Sequence, residues 1–298
     1  MAHIDQAQSA PSLDLFIVIL YNPASLILVR KELAMLTNWR KAIALPIISK
    51  SMGWNILGLE ATLTRSFRIC AGECLKLNNG TICLTLSGGL DSSFYLAKIR
   101  RIFGLAVPIH TFTIGHSAEH PDILFARIVS AQFGTTHHEF IPPIEEVIAG
   151  EQELRTLWPD EPPDLGNVAV FLLYRLIAGE GHRAVIAHDG IDELLGGYWD
   201  HRKHSNEAET VRAFLDYWGR LESEHLAPLQ RKADLFGLEV ILPYLQEMVV
   251  EYIARIPVGL RTSREQSKIP LRALAGKYLP IEIVQRAKRG FCSALYPK

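Results

Sequence analysis

At 298 residues, 48% hydrophobic and 21% charged, the chain has material for one large or two ordinary domains and is too apolar to stay disordered. Its 31 lysines and arginines nearly balance 32 aspartates and glutamates, for a net charge of −1. That balance excludes a built-in attraction to nucleic acid or to an anionic membrane.

Residues 1 to 12 are small and polar. The most apolar run, Leu15 to Tyr21, is broken by Asn22-Pro23 and is too short to span a bilayer. No lysine or arginine precedes it, so it does not read as a signal peptide, and a cytoplasmic location is expected. FIVILY and LILVRK read as two short strands around a turn, within an N-terminal segment covering 1–47. From Ile48 to Leu77 the apolar spacing turns helical, through Leu59, Leu63, Phe67, Cys70 and Cys74. The four cysteines follow no zinc spacing, and reduced thiols are expected. Asn78-Asn79-Gly80 stops the helix.

The chain's central stretch follows, TICLTLSGGLDSSFYLAKIR from Thr81 to Arg100. A buried strand ending near Leu86 gives way to Ser87-Gly88-Gly89-Leu90-Asp91-Ser92-Ser93, and Phe94, Leu96, Ala97 and Ile99 continue at helical spacing. Strand, glycine turn and helix N-terminus together make a place to hold phosphate: backbone N–H groups approach an anion, and the helix end is positive. Ser87, Ser92 and Ser93 add hydroxyl donors, and Asp91 is a candidate cap or metal ligand. No Gly-Lys-Ser/Thr ends the loop, so it is not a Walker A. It resembles the PP-loop of the ATP pyrophosphatases, which implies cleavage of ATP between its α and β phosphates.

Val107 to Gly115 reads as a second buried strand, and Pro121-Asp122 opens a helix, capped by Asp122, that Gly134 ends. HHEFI, from His137 to Ile141, is a third strand; its two histidines point to opposite faces, so they are structural rather than a metal pair. A helix over Val168 to Gly179 precedes a fourth strand, Arg183 to Asp189. Strands alternating with helices predict an α/β, doubly wound parallel sheet over residues 48–205, binding ligands at the strands' carboxyl ends. Beyond residue 205 only helices are expected, as a C-terminal region (206–298) completing the site.

The fourth strand runs into His188-Asp189-Gly190-Ile191-Asp192-Glu193, followed by Leu194-Leu195-Gly196-Gly197-Tyr198. In a doubly wound sheet this acidic loop shares a rim with SGGLDSS. Carboxylates beside a phosphate loop repel the ligand unless a divalent cation intervenes, so Mg²⁺ is expected, with Asp192 the leading ligand. Between Arg255 and Arg289 nine cationic residues, Lys268 and Lys288 among them, face only Glu265 and Glu282, a concentration suited to folding over an anion.

SGGLDSS followed by DGIDELLGGY resembles the synthetase domain of the asparagine synthetase family. The likeness extends through TFTIG, FGTTHHEF, RKADLFGLEVILPYL, SKIPLRALAGKYLP and EIVQRAKRGF, from Leu59 to Phe291. The same domain occurs in β-lactam synthetases and lasso-peptide cyclases, so it names a chemistry better than a substrate. The resemblance implies that Ser87, Gly88, Gly89, Asp91, Ser92 and Ser93, with Gly190, Lys268 and Arg289, hold the phosphates of ATP. It implies that Leu86, Ile114 and Gly115 line the adenine and ribose site. It further implies that Asp91 and Asp192 hold magnesium, that Asp189 takes an acid/base position, and that Lys288 stabilises charge during adenylation. The implied partners are a small carboxylate, by default aspartate, and ammonia or an amine. A homodimer is compatible with such a chain.

The chain departs from the family in places. It has Ala2 where the glutaminase cysteine is expected and barely fifty residues before the similar region, so a glutaminase domain is expected to be lacking and a separate glutaminase chain is an alternative nitrogen source. His188 replaces a glycine, Ile241 and Gln246 replace a common Arg and Asp, and Gln230 stands near a pyrophosphate-side Asp for which Asp234 is a substitute. The chain ends seven residues after Phe291, where a tail is usual. Two other functions fit the loop motif: activation of a nucleoside or tRNA, and a degenerate ATP-binding subunit of a complex.

Overall fold

The computed structural model describes residues 39–49, 53–160, 165–288 and 294–295. The two strands expected around FIVILY and LILVRK, and the residues Arg289 and Cys292, lie outside the described residues. All described residues belong to one compact unit, Trp39–Lys298.

Five parallel strands form one sheet in the order β3-β2-β1-β4-β5: β1 (Ile82–Thr85), β2 (Ile109–Ile114), β3 (Thr136–Phe140), β4 (Ala184–Ile186) and β5 (Glu239–Ile241). The registers pair Leu84 with Thr111 and Ile186, and Ile186 with Ile241. β1 and β4 are buried apolar runs because helices cover both faces, as parallel strands require. The chain moves outward from β1 through β2 to β3, then returns to lay β4 on the other side of β1. The order therefore reverses between β1 and β4, and the loops leaving those two strands flank one crevice.

The helix expected over Ile48 to Leu77 spans Ile56–Leu77, and the Asn55 side chain caps it by accepting the Gly58 N–H at 2.8 Å. At its other end Asn78 acts as an extra strand. Its amide donates to the Ala184 carbonyl at 2.8 Å, and its Oδ1 accepts the Arg183 and Ala184 N–H groups. Phe67 on this helix packs edge-on against Phe94, Tyr95 and Tyr244, centroids 4.7 to 6.0 Å apart. Each such pair contributes about 0.5–1.5 kcal/mol beyond burial and stiffens the floor under the loop after β1. Cys70, Cys74 and Cys83 are free, buried thiols.

Two expectations change in detail. β5 lies beyond residue 205, where only helices were expected; three residues are too few to show a period. The helix Pro121–Phe133 is capped by His120, whose Nδ1 accepts the Asp122 N–H at 3.2 Å, rather than by Asp122. No helix among the described residues is long and apolar enough to cross a membrane.

Candidate active site

The crevice between β1 and β4 is a cavity of roughly 390 Å³, lined by both loops and by the segments 267–272 and 286–288. Ser87 to Ser92 and Asp189 to Asp192 thus face one space. Leu86, Ser87, Gly89, Asp91, Ser92, Ile114, Asp189, Gly190, Asp192, Lys268 and Lys288 line it. Gly88, Ser93 and Gly115 do not.

The loop after β1 is braced from several sides. Its first residue, Leu86, donates its N–H to Phe112 at 2.8 Å and accepts the Thr113 hydroxyl on its carbonyl, so β1 and β2 stay paired up to the turn. Gly88 has φ +66°, and a Cβ there would lie 2.4 to 2.5 Å from the backbone of Phe125 and Ala126. Its missing side chain lets the loop seat on the helix Pro121–Phe133. Gly115 packs in the same way, against Ile123 and His120. Ser93 is buried with no hydrogen-bond partner for its hydroxyl. Gly89 starts the helix Leu90–Phe103, directing free N–H groups at the cavity.

Four charged side chains meet at the centre. Lys268 Nζ lies 2.6 Å from Asp91 Oδ2 and 2.7 Å from Asp192 Oδ1, and Lys288 Nζ lies 2.5 Å from Asp192 Oδ2. Burial alone would raise the Asp192 carboxyl, but Lys268 and Lys288 override it and hold it well below the carboxylate range. Burial lowers Lys268, and its two carboxylates more than restore it, so it remains charged. Asp91 is pushed up by burial, with Lys268 pulling the other way and Asp192 adding to the rise. Gly197 is the reason this fits: a Cβ there would sit 1.6 Å from Asp192 Oδ1. Lys268 itself holds φ +53°, uncommon for a residue with a side chain.

Asp91 and Asp192 converge on Lys268 Nζ, and no group of three or more histidines, cysteines or carboxylates among the described residues is arranged as a metal cage. The donor set still suits Mg²⁺, which takes one or two carboxylates and completes its shell with phosphate and water. Asp91 Oδ1 is buried without a hydrogen-bond partner, an oxygen left over for a cation. Asp189 lines the cavity with its carboxyl raised by burial, against the pull of His225 and Lys288.

Some participants escaped the sequence reading. Arg286 donates to the Ser87 carbonyl at 2.6 Å, pairs with Asp122 and stacks over Phe125. It ties the C-terminal segment to the loop after β1. Its signal was the basic run, but its partner is 164 residues away and was read as a cap. Tyr198 carries Lys288 3.9 Å over its ring and donates its hydroxyl to Glu193 at 2.8 Å. Tyr244 donates to the Asp91 carbonyl at 2.9 Å.

Of the departures from the family pattern that fall among the described residues 188–246, His188 alone lines the cavity. It packs edge-on against Tyr95, and burial pushes its imidazole down to about 3, so it is neutral. Ile241 is buried in β5, and Gln246 donates its amide to the Leu242 carbonyl. Gln230 donates to Asp234 on a solvent-facing turn, and neither borders the cavity.

The family described as asparagine synthase matches residues 73–235 and 221–297 of the chain. A glutamine-hydrolyzing asparagine synthetase from Gallus gallus is 30% identical over 254 residues, which are 82% of this chain and 45% of the chicken protein. Another from Lotus japonicus is 27% identical over 69% of this chain and 38% of its own length. The chain thus spans less than half the length of these curated relatives. Among solved structures, NMN synthetase from Francisella tularensis is similar over 66% of this chain and 93% of its own, at 17% identity and a TM-score of 0.32.

Proposed function

This chain belongs to the asparagine synthase family, and on that premise we propose that it is an AMP-forming, ATP-dependent amide ligase. A carboxylate attacks the α-phosphorus of ATP, pyrophosphate leaves, and ammonia or an amine displaces AMP from the activated acyl group. The observation that carries the reading is the convergence of Asp91, Asp192, Lys268 and Lys288 beside a helix N-terminus at the sheet's switch point.

The division of labour follows from charge. The N–H groups at the start of the helix Leu90–Phe103, with the Ser87 and Ser92 hydroxyls, receive phosphate oxygens. Lys288, less buried than Lys268, is placed to meet the charge that develops as pyrophosphate departs. Lys268 keeps the two acidic loops together. Asp91 and Asp192 would hold Mg²⁺, which when bound neutralises phosphate charge. Asp189, with its raised carboxyl, is positioned to take a proton from the incoming amine.

Incubation with ATP, Mg²⁺, a panel of carboxylates and ammonia tests the proposal. AMP and pyrophosphate should form in equal amounts with an amide. ADP and phosphate as the nucleotide products would reject it.

A further inference from the structure

We propose that the acid this site activates is a monocarboxylate with an apolar body, and that free aspartate is a poor substrate; the inference rests on the amide-ligase reading above.

The cavity's lining is of two chemical kinds. The two loops and the C-terminal segment supply the charged one. The other is built by the helix Leu165–Gly179, with Val170, Leu173 and Tyr174, by Leu221 and Leu229 of the helical stretch after residue 207, and by Phe112 of β2. Aspartate carries a carboxylate for activation, a second carboxylate and an ammonium. The second carboxylate needs a cation once it leaves water.

Four lysines and arginines line the cavity among the described residues, and each is already engaged. Lys268 holds two carboxylates, and Lys288 holds Asp192 above the Tyr198 ring. Arg272 donates to the carbonyls of Ser267 and Val284, and Arg286 donates to Ser87 and Asp122. The phosphates of ATP compete for any of these that loosen. The helical stretch after residue 207 also places Glu224 and His225 in the lining, and Arg220 already grips Glu224 with two hydrogen bonds of 3.0 and 3.2 Å. His188, neutral between aromatic rings, adds no positive charge. A second carboxylate therefore meets no uncommitted lysine or arginine among the described lining residues, while an acyl chain or aryl group gains by burial against Val170, Leu173 and Leu229.

Binding of octanoate, phenylacetate and aspartate to the protein loaded with a non-hydrolysable ATP analogue and Mg²⁺ tests this by calorimetry. Exchange of labelled pyrophosphate into ATP with each acid gives the kinetic counterpart. The two apolar acids should bind the loaded protein, and their kcat/KM for exchange should exceed that of aspartate by about tenfold or more. Val170→Arg, a change at a half-buried lining position, should weaken the apolar acids at least about tenfold and improve aspartate, with the analogue's affinity kept. Preferential use of aspartate overturns the proposal, as does binding of neither apolar acid. Displacement of the apolar acids by the analogue overturns it too, because the apolar lining would then belong to the nucleotide. Cleavage of ATP to ADP would sink the amide-ligase reading instead, and the binding comparison would still decide the pocket's selectivity.

Discussion

The charged rim and the apolar wall of this cavity are made in different ways. The rim is three cation–carboxylate contacts of 2.5 to 2.7 Å, drawn from segments up to 177 residues apart, and it is held at an energetic cost: a lysine at positive φ and ions largely removed from water. The wall is helix side chains that also serve as core, such as Leu173 and Tyr174, and it costs nothing beyond ordinary packing. On the proposed function, strain and buried charge are retained where phosphate chemistry would take place, and substrate selection is left to surfaces that change without disturbing it.

The largest expected effect separates the two regions. Lys288→Ala should slow pyrophosphate exchange by about 100- to 1,000-fold with nucleotide affinity far less affected, as loss of a transition-state charge partner does. A fall below about fivefold would mean that the rim is not where charge is stabilised. Asp189→Asn should act later in the reaction. Amide formation should drop about 100-fold while exchange is retained, measured by following both in the same preparation.

Stability effects come next. Lys268→Met should cost about 3–5 kcal/mol in denaturant unfolding, because it leaves Asp91 and Asp192 facing each other without their shared cation. Gly88→Ala should cost about 1–3 kcal/mol by forcing the loop away from the Phe125 backbone.

A further effect is set by pH, and it comes close to zero at neutral pH. His201 is fully buried, stacked 4.4 Å from Phe214, and burial pushes its imidazole from 6.5 down to about 4. Above pH 6.5 both folded and unfolded chains hold it neutral, and its contribution is complete. As pH falls from 6.5 to about 4 the unfolded chain takes up a proton that the folded chain refuses, so stability drops by up to about 3 kcal/mol. His201→Phe should flatten that part of the stability–pH curve; an unchanged slope would place the acid sensitivity in the other buried histidines, His188 among them.

Much of the fold was legible because the sheet's strands are short apolar runs separated by turn residues and helical periods. The carboxylates, lysines and serines of the site were legible because each sits in a compact motif. Gly88 was legible as a special residue but not in its use: the turn predicted an approach to an anion, and the structure spends it on an approach to a helix backbone. Asp122 shows the same limit. Its position after His120 and Pro121 fits a cap, yet Arg286 claims its side chain. β5 carried no period to read, although its neighbours in the sequence were recognised as a motif.

By itself the sequence determined what is local: a strand, glycine turn and helix N-terminus, and an acidic loop after another strand. These depend on backbone dihedrals and side-chain types within a dozen residues. Only the tertiary structure decided that the two loops leave adjacent strands, that Lys268 stands between their carboxylates, and that an apolar wall faces them. Such pairings depend on strand order and on contacts across more than 150 residues, and no spacing along the chain encodes them.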